Sequence, residues 1–247
     1  MSRVANSEDH AAAAIALLQR IAIRYAPAAL ASSFGAEDMV LIDLIARHSL
    51  PIIVFTLDTG RLPEETHALI ERTRERYQLS IDIYTPDAAI LQSFVRENGI
   101  NPFYRSVELR KACCGVRKTE PLHRALKGKG AWITGRRRAQ SISREDVATQ
   151  EFDDAHGVPK FNPLADWSND EVWDYLRANG VPYNALHDRG YPSIGCAPCT
   201  RAVMPGEDPR AGRWWWEETE HKECGLHPRT SPGATRASNA PTESVAS

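Results

Sequence analysis

Pro51-Ile-Ile-Val-Phe-Thr-Leu57 is an almost unbroken apolar, β-branched run, the pattern of a strand covered on both faces, as in parallel sheets. Leu57-Asp-Thr-Gly60 closes it with turn-forming residues. Upstream, Ala28–Ser33 reads as a second short strand and Glu37–Arg47 as a helix, with Met39, Leu41, Ile42 and Ile45 available for burial. Before them, Glu8–Tyr25 repeats apolar positions at helical spacing through Ile15, Leu18 and Ile21. Downstream the pattern predicts a helix over Pro63–Tyr77, a strand over Ser80–Tyr84, a helix over Pro86–Glu97 and a strand over Ala131–Thr134. Such alternation predicts βαβ units, hence an α/β fold with a doubly wound, mostly parallel sheet. Past Gly135 the regularity loosens. Trp167–Asn179 reads as a helix opened by Ser168 and Glu171 at capping-box spacing, and Tyr183–Pro205, rich in Pro, Gly and Cys, predicts a structured loop.

The 247 residues, 42% hydrophobic and 25% charged, exclude a disordered or fibrous chain and suffice for a core without disulfide staples. One α/β domain over residues 1–229 is expected, with a catalytic segment near 210–229. The last 18 residues hold fifteen Ser, Thr, Pro, Gly, Ala or Asn, which predicts a disordered tail over 230–247. The longest apolar runs, Ala11–Leu18 and Pro51–Leu57, fall far short of the ~20 residues that span a bilayer. The acidic N-terminus argues against a signal peptide, so a cytoplasmic, reducing setting is expected, where five cysteines suit ligands or catalysts better than disulfides. The net charge is −2, yet residues 105–144 carry twelve basic and two acidic side chains.

Three groups of residues can carry chemistry. Ser32-Ser-Phe-Gly-Ala-Glu-Asp38 joins a strand to a helix; such a turn offers backbone N–H groups to an oxyanion, or is an ordinary βα turn. It lacks the Lys-Ser/Thr of a Walker A loop. Cys113-Cys114 and Cys196-Ala-Pro-Cys199 form two close thiol pairs. Spacing leaves zinc and iron–sulfur open, though adjacent cysteines strain around one small ion and fit more easily onto two irons of a cube. Two buried cysteines plus a redox CxxC is the less economical alternative. Lys111, Arg117 and Lys118 flank the first pair and would offset thiolate charge. Finally, Arg210 and Arg213 stand at i and i+3, the spacing of one helix face, ahead of Cys224, which has His221 and His227 nearby. That thiol is either an activated nucleophile or incidental.

Taken together, Ser32–Asp38, Leu57–Gly60, Lys111-Ala-Cys-Cys-Gly-Val-Arg-Lys118, Ile133-Thr-Gly-Arg136, Cys196–Cys199, Arg210-Ala-Gly-Arg-Trp-Trp-Trp-Glu217 and Glu223-Cys-Gly-Leu-His227 resemble the iron–sulfur adenylylsulfate reductases of sulfate assimilation. That group falls within the PAPS reductase family and the Rossmann-like, adenine-nucleotide α-hydrolase-like superfamily. The resemblance implies that adenosine 5′-phosphosulfate and reduced thioredoxin give sulfite, AMP and oxidised thioredoxin. It implies a [4Fe–4S] cluster on Cys113, Cys114, Cys196 and Cys199, and Cys224 as the nucleophile that becomes S-sulfocysteine. Lys118, Arg210, Arg213 and His227 would neutralise the phosphosulfate, and Ser32, Ser33, Leu57, Thr59, Gly135 and Arg144 would hold the nucleotide. No nucleic-acid or membrane partner is implied, and a homo-oligomer is left open. Unlike Ser-Gly-Gly-x-Asp-Ser pyrophosphatases, this chain has Phe34 between the small residues, which argues against ATP cleavage. Two other readings compete. A reductase of the 3′-phosphorylated nucleotide is disfavoured by the paired cysteines. A zinc-stabilised nucleic-acid module using the basic stretch is disfavoured by the overall charge and the lack of interleaved exposed aromatics.

Overall fold

The structure, a computed structural model, describes residues 2–140 and 146–218. Its six-stranded sheet has the order β3-β2-β1-β4-β6-β5. The strands are β1 (Ala28–Ser32), β2 (Ile52–Leu57), β3 (Ile81–Tyr84), β4 (Ala131–Ile133), β5 (Gln150–Asp153) and β6 (Val158–Phe161). Pairings β1–β2, β2–β3, β1–β4 and β4–β6 are parallel; only the edge pair β5–β6 is antiparallel. The four strands read from sequence lie within a residue or two of their expected ends, and the sheet is mostly parallel as expected.

Residues alternate across the sheet with the period of two that a pleat imposes. Ala28, Leu30, Ile52, Val54, Ala131 and Ile133 face the larger core, shared with helices α1 (Ser2–Arg24), α2 (Ala36–Arg47), α3 (Glu64–Tyr77) and α7 (Asn169–Ala178). Ala29, Phe55 and Trp132 face a smaller core closed by Leu122, Ala125 and Leu126 of helix α6 (Glu120–Leu126). Helix α4 spans Ala88–Asn98, capped by Asp87, whose carboxylate accepts from the Ile90 amide at 2.9 Å. The capping box opening α7 is present: Ser168 Oγ accepts from the Glu171 amide, and the Glu171 carboxylate accepts from the Ser168 amide.

Two parts of the fold were not anticipated. Residues 107–126 form α5 (Val107–Cys114), one π-helical turn (Gly115–Thr119) and α6, in near-continuous succession. A π turn inserts an extra residue into the helical ladder and re-aims the side chains on it. The β5–β6 hairpin closes one sheet edge around the tight turn that includes Gly157, at φ +67°. Among the described residues no helix is long and apolar enough to cross a membrane.

Strand order reverses at β1, with β2 on one side and β4 on the other. In open α/β sheets, ligands bind at the carboxyl ends of the strands at such a switch point.

Candidate active site

A cavity of about 210 Å³ opens there, lined by Ser32 and Ser33 at the end of β1, Leu57 and Thr59 at the end of β2, and Thr134 and Gly135 after β4. Lys118 on the π turn and Arg210 and Arg213 from the C-terminal part bring cations to the same wall. Ala31, Phe55, Leu57, Leu122 and Trp132 make its other end apolar. Eight residues expected to act on one nucleotide therefore converge, although they are scattered over 182 positions of the chain. Arg144, Cys224 and His227 lie outside the described residues.

In the turn after β1, which the sequence left as either an oxyanion site or an ordinary βα turn, nearby side chains take part of the donor set. The Ser33 amide donates to Asp38 Oδ2 at 2.6 Å, the Ser33 hydroxyl donates to the same oxygen at 2.8 Å, and the Phe34 amide donates to Ser32 Oγ at 3.1 Å. Asp38 thus takes donors that the sequence analysis offered to a bound oxyanion. Phe34 sits at φ +58° with its ring fully buried in the large core, a left-handed conformation that is strained for a bulky residue and is typical of sites over-determined by their surroundings. Gly135 is required by closeness: a Cβ there would collide with the Asp38 carboxylate and Glu37.

A buried acid, Asp38, and a half-buried one, Glu37, meet in this turn. Glu37 is pushed up by burial, but the Arg137 guanidinium and Gln140 outweigh that and hold it below its ordinary value; Arg137 Nη2 donates to Glu37 Oε1 at 2.6 Å. Burial pushes Asp38 up to about 6, against the hydrogen bonds from Ser33 and with repulsion from Glu37. An acid raised in the folded state binds more protons than in the unfolded state between its two pKa values, so stability falls as pH rises through that window. Relative to Asp38→Asn, the protein should therefore lose stability between about pH 4 and pH 6 and hold a constant difference above. Urea midpoints of both proteins across that range check this; a pH-independent difference would refute the assignment.

Arg210 and Arg213 do not share a helix face. Residues 208–217 run through successive turns, with the Ala211 amide on the Asp208 carbonyl, that of Arg213 on Arg210 and that of Glu217 on Trp214. Pro209 and Gly212 break any helical run, and Arg213 bridges to Thr200 in extended conformation. Arg213 still reaches the cavity. Its Nη1 donates to the Ile194 carbonyl at 3.1 Å and its guanidinium covers the Trp214 ring at 4.8 Å. Gly195 makes room for it.

Cys113, Cys196 and Cys199 meet beside this cavity in a buried cluster with Phe103 and Trp214. Cys114, next on α5, is half-buried and outside that cluster. Among the described residues no three Cys, His, Asp or Glu side chains form a group that could hold a single metal ion. Burial pushes the Cys199 thiol up to about 12, with repulsion from Cys196 and against Lys118 and Arg213. Burial likewise raises Cys113, against the Arg117 guanidinium. A redox CxxC requires the opposite direction. Thr59, expected on the nucleotide, also places its hydroxyl 3.2 Å from Cys196 Sγ, and its carbonyl accepts from Arg117 Nη1 at 2.6 Å. Trp214 Nε1 and Arg117 Nε are buried donors without an acceptor among the described residues. Soft thiols, surrounding cations and unspent N–H donors fit a multi-iron sulfide centre, whose sulfurs accept hydrogen bonds.

Within the basic stretch Arg110, Arg117 and Arg137 are buried, whereas Arg105, Lys111, Arg124 and Lys127 are exposed. Arg110 forms a two-pronged pair with Glu217, both side chains buried, at 3.0 and 2.8 Å. Arg124 pairs with Glu120, Arg136 with Glu151, Arg137 with Glu37 and Arg138 with Asp166. Sequence reasoning missed Asp38, Gln140, Arg136 and Glu217, because their partners are far away in sequence or fixed only by the turn geometry.

Residues 27–202 match the phosphoadenosine phosphosulfate reductase domain family. An adenosine 5′-phosphosulfate reductase of Burkholderia cepacia is 55% identical over 212 residues, 86% of this chain and 85% of that protein. The solved phosphoadenylyl-sulfate reductase of Candida auris, a phosphate complex, superposes with a TM-score of 0.67 at 28% identity, covering 77% of this chain and 90% of that one. Yeast FAD synthetase, at 17% identity and a TM-score of 0.55 over 81% of this chain and 68% of its own, shares the fold.

Proposed function

This chain belongs to the phosphoadenosine phosphosulfate reductase domain family, and from that premise we propose that it reduces adenosine 5′-phosphosulfate to sulfite and AMP at the expense of a thioredoxin dithiol. The observation that carries the reading is the convergence of Ser32, Ser33, Leu57, Thr59, Gly135, Lys118, Arg210 and Arg213 on one cavity, with the cysteine cluster behind Thr59 and Trp214. The apolar end suits a purine, and the three cations suit the phosphosulfate at the other end.

In this mechanism Lys118, Arg210 and Arg213 bind the phosphosulfate and stabilise the charge that moves onto the leaving phosphate. The Cys224 thiolate attacks the sulfate sulfur. The S–O bond to the phosphate breaks, AMP departs with the electron pair, and S-sulfocysteine remains. His227 supports the same anion. A thioredoxin thiolate then attacks Cys224 sulfur, releasing sulfite as a two-electron-reduced product and forming a mixed disulfide, which the second thioredoxin thiol resolves. Cys113, Cys114, Cys196 and Cys199 would hold a [4Fe–4S] cluster, which would keep these ligands as thiolates and would supply a polarisable charge. A soluble, cytoplasmic enzyme fits the need for a reducing compartment.

An anaerobic assay of sulfite release tests this with both nucleotides. Adenosine 5′-phosphosulfate should be turned over far faster than its 3′-phosphorylated relative, the substrate class for which the Candida auris protein is named. The cysteine quartet and the 55% identity to an adenosine 5′-phosphosulfate reductase motivate that order. Equal kcat/KM for the two would make the enzyme dual-specific, and absence of sulfite from both would overturn the function.

A further inference from the structure

Arg136, which lines the cavity, is paired with the β5–β6 hairpin, which the proposed reaction does not use, and three charged side chains meet there. Glu151 Oε1 accepts from Arg136 Nη1 at 3.3 Å, and the same oxygen lies 3.0 Å from Lys160 Nζ. The Lys160 side chain is 4% exposed, and its ammonium stands 4.8 Å from the Trp132 ring centroid. Trp132 and Arg136 line the cavity, whereas Glu151 and Lys160 stand behind them. A buried lysine is costly unless it is paired, and pairing needs one carboxylate. Here that carboxylate is divided between the lysine and a guanidinium that reaches the cavity.

We propose that Glu151 is a positioning residue, whose shared oxygen holds Arg136 at the nucleotide cavity and Lys160 against Trp132; this rests on the reading of that cavity as the nucleotide site. Without the carboxylate, Arg136 and the buried Lys160 are left beside each other as like charges. The next acid, Asp153, already holds His156 at 3.0 Å, and the His156 ring stands edge-on to Trp132. Arg136 then turns away from the cavity, and the nucleotide loses a donor that does not take part in bond breaking. The hairpin thereby sets affinity without touching substrate.

Binding of AMP by calorimetry, together with steady-state kinetics, tests the proposal on the full chain. Glu151→Gln should raise the Kd for AMP and the KM for the substrate about tenfold, the size of one lost charge-assisted hydrogen bond, with kcat within about twofold of wild type. Glu151→Asp should restore most of the affinity. Arg136→Met should weaken AMP similarly, and adding Glu151→Gln to it should cost nothing more, because both act through one contact. A lower melting temperature with unchanged Kd, or effects that simply add, would make Glu151 a structural tether and overturn the proposal. Failure of the wild-type protein to bind AMP would instead reject the nucleotide reading on which it rests.

Discussion

Cys224→Ser should abolish sulfite release, by about a thousandfold or more, while AMP binding and iron content stay at wild-type levels. Of the five cysteines, four fall in the two pairs 113–114 and 196–199, and three of those are buried together around Trp214. Burial drives the thiols of Cys113 and Cys199 toward the protonated form, so neither is a ready nucleophile. Cys224 follows the turn segment that delivers Arg210 and Arg213 to the cavity. Wild-type enzyme mixed with substrate in the absence of thioredoxin should gain about 80 Da, one SO₃, on the peptide containing Cys224, as a covalent intermediate requires. The serine variant should gain none. Substantial turnover by that variant, or an adduct on Cys196 or Cys199, would reverse the roles assigned to these thiols.

Serine at any of Cys113, Cys114, Cys196 or Cys199 should bleach a brown protein that otherwise carries about four irons and matching acid-labile sulfide per chain. The loss should spread beyond the metal, because Thr59 touches both Cys196 and the nucleotide cavity. Lys118, one of the cations acting on Cys199, also lines that cavity. AMP affinity should therefore fall together with iron content. Anaerobically purified protein holding one zinc per chain and no sulfide would defeat the cluster assignment.

Strand β2 was legible because Ile-Ile-Val-Phe is short, β-branched and closed by turn residues, as a strand covered on both faces is, and helix α7 because a capping box is a local device. The cavity was legible residue by residue only through the resemblance; composition and periodicity placed its loops at one sheet end but not its cations. Spacing misled at Arg210 and Arg213, where i and i+3 recur in consecutive turns as well as in a helix. The turn after β1 stayed open between an oxyanion site and an ordinary βα turn for a related cause: sequence shows which donors a turn owns, but not that Asp38, five residues on, bends back to use those of Ser33. The β5–β6 hairpin escaped notice because its strands are only four residues each and carry Lys160, Glu151 and Asp153, charges that make sense only after they are paired.

The buried pair between Arg110 and Glu217 fixes a mooring point for the rest of the chain. Glu217 is pinned against the helix that bears Cys113 and Cys114, and seven peptide units separate it from Cys224. Seven units extend at most about 25 Å. One thiol restricted to a sphere of that radius has a local concentration on the order of 10 mM. As the proposed nucleophile, Cys224 would thus be supplied as a concentrated reagent, whatever path the segment takes, and the Glu217 carboxylate would set the dose.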